Sequence, residues 1–317
     1  MHQCKVQANA SSKITKQEYQ HVYQEVKSED FFDSLKKVYA QYQISNISEL
    51  KMHQETFSLP MKRNLFRLLE INGTIHRQKV RFLVDTGAQI SAIRPELLQS
   101  LNLKKYPPLE VGGFGGSKAK LETVVVDQLS FGEIEVLNHP MIVLSQETFQ
   151  MKLGPFDLLK FDAILGWDIL SRIDFELDDV SHTFKCVKNE YRFKYPNMIL
   201  GGFPFIIGRR QNELVKIGID TGAFYGWVSK DYIAQHHFET VEIETLSYGV
   251  NGKEKTKTKM IPQIDVLLDH GYIQLTELLQ GPCEIYPNFH YDMILGNEIF
   301  KGRRIRFINS ASMVLFT

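Results

Sequence analysis

The sequence predicts a mainly β chain folded as two similar lobes, and three observations carry that prediction. Asp85-Thr86-Gly87-Ala88 recurs as Asp220-Thr221-Gly222-Ala223, each copy behind an apolar run, Val80–Val84 and Val215–Ile219. Ile164-Leu165-Gly166 recurs as Ile294-Leu295-Gly296, with Gly166 lying 81 residues after Asp85 and Gly296 lying 76 after Asp220. The stretches between alternate apolar and polar residues as half-buried strands do, Leu121–Val126 and Phe131–Val136 among them. One such tetrapeptide should arise by chance in roughly one chain in two hundred of this length. The pair, not either copy, is the signal, and it implies an internal duplication with a period of roughly 130 residues.

Taken in order, residues 1–13 are polar and small, the pattern of a disordered start. Thr15-Lys16-Gln17-Glu18 reads as a capping box, with Tyr19, Val22, Tyr23 and Val26 at helical spacing behind it. A second helical stripe carries Phe32, Leu35, Val38 and Tyr39. Residues 1–58 therefore form a helical N-terminal extension, read as a packing appendage, a docking element or an inhibitory prosegment.

Residues 63–84 predict a hairpin turning at Asn72-Gly73 and running into Asp85. Its counterpart comprises Met198–Leu200 and Phe203–Ile207, turning near Gln211-Asn212. Gly87 and Gly222 are expected to turn the backbone sharply at the strand ends, presenting each Asp at a tight loop. Gly166 and Gly296 are expected to admit another backbone. Pro95–Leu98 opens a short helix. Gly113, Phe114, Gly115 and Gly116, matched later by Tyr248 and Gly249, read either as hinged hairpin tips or as ordinary exposed turns. Residues 131–144 and 261–276 supply further strands, with clear alternation over Phe131–Val136. Residues 174–187 close a first lobe, 59–190, and 303–316 close a second, 191–317.

Lys+Arg and Asp+Glu balance at 37 each, which excludes a broad electrostatic footprint for nucleic acid or an anionic membrane. No apolar run approaches the roughly 20 residues needed to span a bilayer. Cys4, Cys186 and Cys283 have no metal-ligand spacing and make no disulfide framework, although one bridge stays open. His21, His76, His139, His236, His237 and His290 show no paired metal spacing either, so neither a metal nor an organic cofactor is expected. The start, Met1-His2-Gln3-Cys4-Lys5, lacks a signal-peptide apolar region, as would a chain whose signal had been removed. The compartment stays open, with a lean toward the extracytoplasmic side.

Asp-Thr-Gly-Ala followed by Ile-Leu-Gly-x-Asp/Glu, twice, resembles the aspartic proteases, specifically the retroviral-type, retropepsin-like half. The resemblance covers roughly residues 59–317 and implies the two-lobed aspartic-protease fold, with tandem retropepsin-like β-barrel halves in one chain. It implies an aspartic endopeptidase acting on peptide or protein substrates as a monomer, with Asp85 and Asp220 as the catalytic pair. By the same resemblance Thr86 and Thr221 hydrogen-bond across the lobes, and Gly87 and Gly222 offer N–H groups. Gly113, Phe114, Gly115, Gly116, Tyr248 and Gly249 become flap candidates. Asp168 and Glu298 are expected to position the loops after Ile-Leu-Gly. Pepsin-like prosegments are usually basic, whereas residues 1–58 hold seven Lys against seven Asp or Glu. Pepsin-like loops also carry Ser or Thr where this chain has Ala88 and Ala223. Losing those donors predicts a mildly acidic optimum, roughly pH 4.5–6.5. The alternative is a catalytically weak or partner-dedicated peptide-binding or processing module of the same fold.

Overall fold

The computed structural model describes residues 14–27, 40, 48–112, 118–145, 152–153, 156–157, 159–189, 196–249, 252–268, 271–286 and 289–317. The N-terminal helix Lys16–Lys27 comes first. Then follow β1 (Glu49–Met52), β2 (Phe57–Arg63), β3 (Leu69–Ile75), β4 (Gln78–Val84), β5 (Ala92–Ile93), β6 (Lys105–Gly112), β7 (Lys118–Phe131) and β8 (Ile134–Val143). Two short strands, β9 (Lys152–Leu153) and β10 (Phe156–Asp157), precede β11 (Ala163–Leu165), β12 (Phe175–Asp178) and β13 (Thr183–Cys186). The remaining strands begin with β14 (Met198–Leu200), β15 (Pro204–Arg210), β16 (Glu213–Ile219), β17 (Trp227–Val228), β18 (Val241–Gly249), β19 (Gly252–Leu268) and β20 (Gly271–Gln280). They end with β21 (Glu284–Tyr286), β22 (Phe289–His290), β23 (Met293–Leu295), β24 (Arg304–Ile308) and β25 (Met313–Phe316).

The duplication read in the sequence is written into the strand order. One sheet runs β3-β4-β11-β5-β8-β7-β6 and the other β15-β16-β23-β17-β20-β19-β18, the same path with the same internal offsets. In each, the strand entering Asp-Thr-Gly pairs in parallel with the Ile-Leu strand, β4 with β11 and β16 with β23. A matching carboxylate braces each pair: Arg81 N–H donates to Asp162 Oδ2 and Lys216 N–H to Asp292 Oδ2, both at 2.7 Å. The fold is thus mainly β and two-lobed. Alternate residues of these strands, among them Phe82, Val84, Leu165, Ile217, Ile219 and Leu295, meet in one core. Full burial of such side chains is worth roughly 1.5–3 kcal/mol each.

Several sequence expectations need correction. The first hairpin turns at His76-Arg77, not at Asn72-Gly73. His76 and Arg77 have φ of 48° and 66°, and Gln211 and Asn212 repeat this at 48° and 69°. Two successive positive φ values give the turn whose twist suits a hairpin. Gly73 instead lies inside β3, where a Cβ would overlap the Ser130 carbonyl and the Phe82 ring. Phe131–Val136 is not one strand, because Gly132, at φ 56°, turns β7 into β8. The division at residue 58 cuts through β2. Residues 303–316 do not close the second sheet: β24 pairs with β12, and β25 with β24, so this hairpin extends the first.

The capping box is present: Thr15 N–H donates to Glu18 Oε2 at 2.8 Å and Glu18 N–H to Thr15 Oγ1 at 3.2 Å. Val22 of its helix and Ile14 just before it are buried against Ile199, Phe203, Phe205, Ile207 and Tyr291 of the second half. The second helical stripe at Phe32–Tyr39 and the proposed boundary at Glu190 lie outside the described residues, as does Cys4. No disulfide joins Cys186 and Cys283. No described helix is long and apolar enough to cross a membrane.

Candidate active site

β4 and β16 deliver the two Asp-Thr-Gly-Ala loops to one place. Backbone pairing holds each Asp at its strand end, with Asp85 N–H donating to Leu165 O at 3.0 Å and Asp220 N–H to Leu295 O at 2.8 Å. The loops are then cross-wired through their threonines. Thr86 N–H donates to Thr221 Oγ1 at 2.9 Å, and Thr221 N–H donates to Thr86 Oγ1 at 3.1 Å. Each hydroxyl passes its own hydrogen on, Thr86 to Ile219 O and Thr221 to Val84 O, both at 2.7 Å. Both threonines are fully buried. The N–H and hydroxyl groups of both threonines are therefore satisfied across the lobe boundary, and neither loop is complete without the other.

This wiring sets the carboxyls face to face. Asp85 is 7% exposed and Asp220 partly buried, and each carboxyl lies against the glycine of the opposite loop. Within its own loop, Asp85 Oδ1 accepts from Gly87 N–H at 2.9 Å and from Ala88 N–H at 3.0 Å. Asp220 Oδ1 accepts from Gly222 N–H at 2.8 Å and Ala223 N–H at 3.0 Å. Desolvation nevertheless holds Asp85 above the usual carboxyl range. It raises Asp220 well above that range, with the neighbouring Asp85 charge acting in the same direction. Neighbouring buried carboxyls titrate as a coupled pair and not independently.

The glycines offer their N–H groups as expected, but their missing Cβ serves more than a sharp turn. Neither Gly87 nor Gly222 adopts positive φ. A Cβ on Gly87 would overlap the Asp220 carboxyl, and one on Gly222 would overlap that of Asp85. Each glycine makes room for the opposite acid. Gly166 and Gly296 do admit backbone, a Cβ there lying 2.7 Å from Ala88 O and from the Tyr225 carbonyl carbon respectively.

Behind the first loop, Asp168 is buried. It accepts from Ser91 Oγ at 2.6 Å and Ser91 N–H at 2.9 Å, and faces His139 Nε2 at 3.1 Å. Sequence reasoning gave His139 no role, since nothing in its spacing joins β8 to Asp168. Behind the second loop Glu298 takes the corresponding place, with Gly226 where the first half has Ser91. Of the flap candidates, Gly113, Phe114, Gly115 and Gly116 lie outside the described residues, while Tyr248 and Gly249 end β18. Among the described residues no group of His, Cys, Asp and Glu is arranged to hold a metal.

Residues 71–172, which span the first loop and its Ile-Leu-Gly strand, match the family described as gag-polyprotein putative aspartyl protease. The match covers about a third of the chain and shows similarity to that family over this stretch. A solved retropepsin-like aspartic protease from Rickettsia conorii is 22% identical over 44% of this chain and 91% of its own. Its TM-score of 0.28 is too low to bear on the fold. No curated protein matches the chain.

Proposed function

We propose that the protein is an aspartic endopeptidase whose catalytic pair is Asp85 and Asp220, one from each lobe of a single chain. The observation that carries this reading is the cross-wired pair of identical loops, each with its carboxyl packed against the glycine of the other. Peptide hydrolysis needs a base to take a proton from the attacking water and an acid to protonate the carbonyl oxygen. A carboxyl pair sharing one proton supplies both, the ionised member acting as base and the protonated one as acid. The roles exchange as the tetrahedral centre collapses. Burial suits this, because it keeps the shared proton in place at pH values where an exposed carboxyl would have lost it. No group outside the pair is needed for proton transfer.

Hydrolysis of denatured casein tests the reading. Asp85→Asn and Asp220→Asn each keep the side-chain shape while removing a titrating oxygen. Each variant is expected to remain folded and to lose turnover by roughly 10²–10⁴-fold, the usual contribution of positioned acid–base catalysis. Near-normal turnover in either variant sinks the assignment.

A further inference from the structure

The two halves solve one packing problem in different ways behind their active loops. In the first half, Gly166 N–H donates to Ser91 Oγ at 3.0 Å, and that hydroxyl passes its hydrogen to Asp168. In the second half no hydroxyl is available, because Gly226 replaces Ser91. There Gly296 N–H donates directly to Glu298 Oε1, again at 3.0 Å. The longer acid fills the space of the absent serine, since a Cβ on Gly226 would lie 2.5 Å from Glu298 Oε1. One glutamate thus does the work of an aspartate and a serine.

The substitution leaves a residue of polarity the first half does not have. Glu298 is partly buried as a whole residue, but its Oε2 is out of solvent and has no hydrogen-bond partner. Where Asp168 faces His139, the Glu298 carboxyl sits beside Leu278, and the Tyr225 and Ile294 carbonyls line the same space. Its hydrogen bond comes from the Gly296 backbone N–H, and no charged or titratable side chain from β17, β20 or β23 acts on it among the described residues. The Tyr225 phenol is exposed.

We propose that Glu298 works as a proton-bearing positioning residue for the second active loop, and that loss of its proton sets the upper pH limit of turnover. A neutral carboxylic acid can sit in this box, with Oε1 accepting from Gly296 and the proton on Oε2. A carboxylate there is an unpaired buried charge, and it draws in water or swings out. Either movement releases Gly226 and Gly296, and Gly296 follows directly on Leu295, whose carbonyl holds Asp220. Burial pushes the Glu298 carboxyl up to about 7 from its ordinary 4.5, so the change falls near neutral pH. The folded state binds more protons than the unfolded state between these values. Stability accordingly falls as pH rises through that window.

The activity part of this inference rests on the endopeptidase reading, and the stability part does not. Unfolding midpoints and kcat/KM on a casein-derived peptide would be measured from pH 4 to 9 for the wild type and Glu298→Gln. The wild-type midpoint is expected to drop between pH 5 and 8 by more than that of Glu298→Gln. At pH 8 the glutamine variant is expected to keep about tenfold more of its own maximal kcat/KM, as for a group one unit above its pKa. Equal pH dependence of the two midpoints would show that Glu298 does not titrate here and overturns the proposal. A changed midpoint profile with an unmoved alkaline limb would assign that limb to the Asp85–Asp220 pair and overturn it too. Absence of turnover in every protein refutes the endopeptidase reading, while the midpoints still decide whether Glu298 holds a proton. If Glu298→Gln does not fold, Gly226→Ser with Glu298→Asp rebuilds the arrangement of the first half and is read against the same two outcomes.

Discussion

At the scale of single residues, the four-residue motif was legible as a pair, but the reason for its glycine was not. A sequence shows that Gly follows Asp-Thr; only the folded chain shows the opposite carboxyl lying where a Cβ would be. This gives a sharp test. Gly87→Ala forces its methyl into the Asp220 carboxyl and is expected to lower turnover by more than a hundredfold, with about 1–3 kcal/mol lost to overpacking. Gly112→Ala is the control, since nothing lies within 4 Å of the added atom. Equal effects of the two on kcat/KM and on denaturant midpoint would discard the crowding argument. The pH reasoning from Ala88 and Ala223 also changes in kind. Their methyl groups donate nothing, yet their backbone N–H groups do, each at 3.0 Å. Burial outweighs that support, and both carboxyls remain above the ordinary range. His139, Ser91 and Gly226 were invisible as functional residues because their meaning lies in pairings across strands far apart in sequence.

At the scale of elements, local patterns served well where local physics decides. The capping box at Thr15–Glu18 and the apolar runs leading into both loops are short-range signals, and the structure contains both. The hairpin turn was misplaced because Asn72-Gly73 is a strong turn dipeptide whose glycine is used for close packing inside β3. The N-terminal helix shows how an amphipathic stripe finds its partner. Glu18 bonds Arg209 at 2.7 Å, Tyr19 donates to Met198 O at 3.0 Å, and Ile14 and Val22 enter a cluster built by the second half. This helix is a packed element of that half. Deleting residues 1–27 is expected to lower the thermal midpoint by several degrees, the consequence of uncovering Ile199, Phe205 and Ile207. An unchanged midpoint by calorimetry would mean the helix docks without contributing.

At the scale of the whole molecule, the least legible feature is the C-terminal hairpin, because strand pairing between distant segments leaves no local periodicity. β24 lies beside β12, with Phe307 stacked on Phe175 at 4.7 Å between centroids and Trp167 edge-on at 6.2 Å. Arg306 bonds Glu176, and Arg304 Nε lies 2.9 Å from the fully buried Asp178, which also holds Lys185 at 3.0 Å. Asn309 Nδ2 donates to the carbonyls of Leu170 and Ile173, and Asn197 clasps Val314 through both its amide atoms. The end of the chain is thereby built into the first half while the strands before it belong to the second. Two lobes joined in this way and through the Thr86–Thr221 exchange are expected to unfold together, in one calorimetric transition. Two resolved transitions would refute that. Acid should part them: burial alone would raise the Asp178 carboxyl, but hydrogen bonds from Ser181 and the Lys185 ammonium bring it below its ordinary 3.8. A depressed carboxyl stabilises above its unfolded pKa and loses that contribution as pH falls through the folded one. The wild-type midpoint should therefore fall steeply below about pH 4. Asp178→Asn should start lower at pH 7 and show a shallower acid decline, and parallel curves for the two proteins would remove Asp178 from the account. Phe307→Ala, which opens the aromatic stack without touching a charge, should cost about 3–5 kcal/mol at every pH and leave the acid slope unchanged.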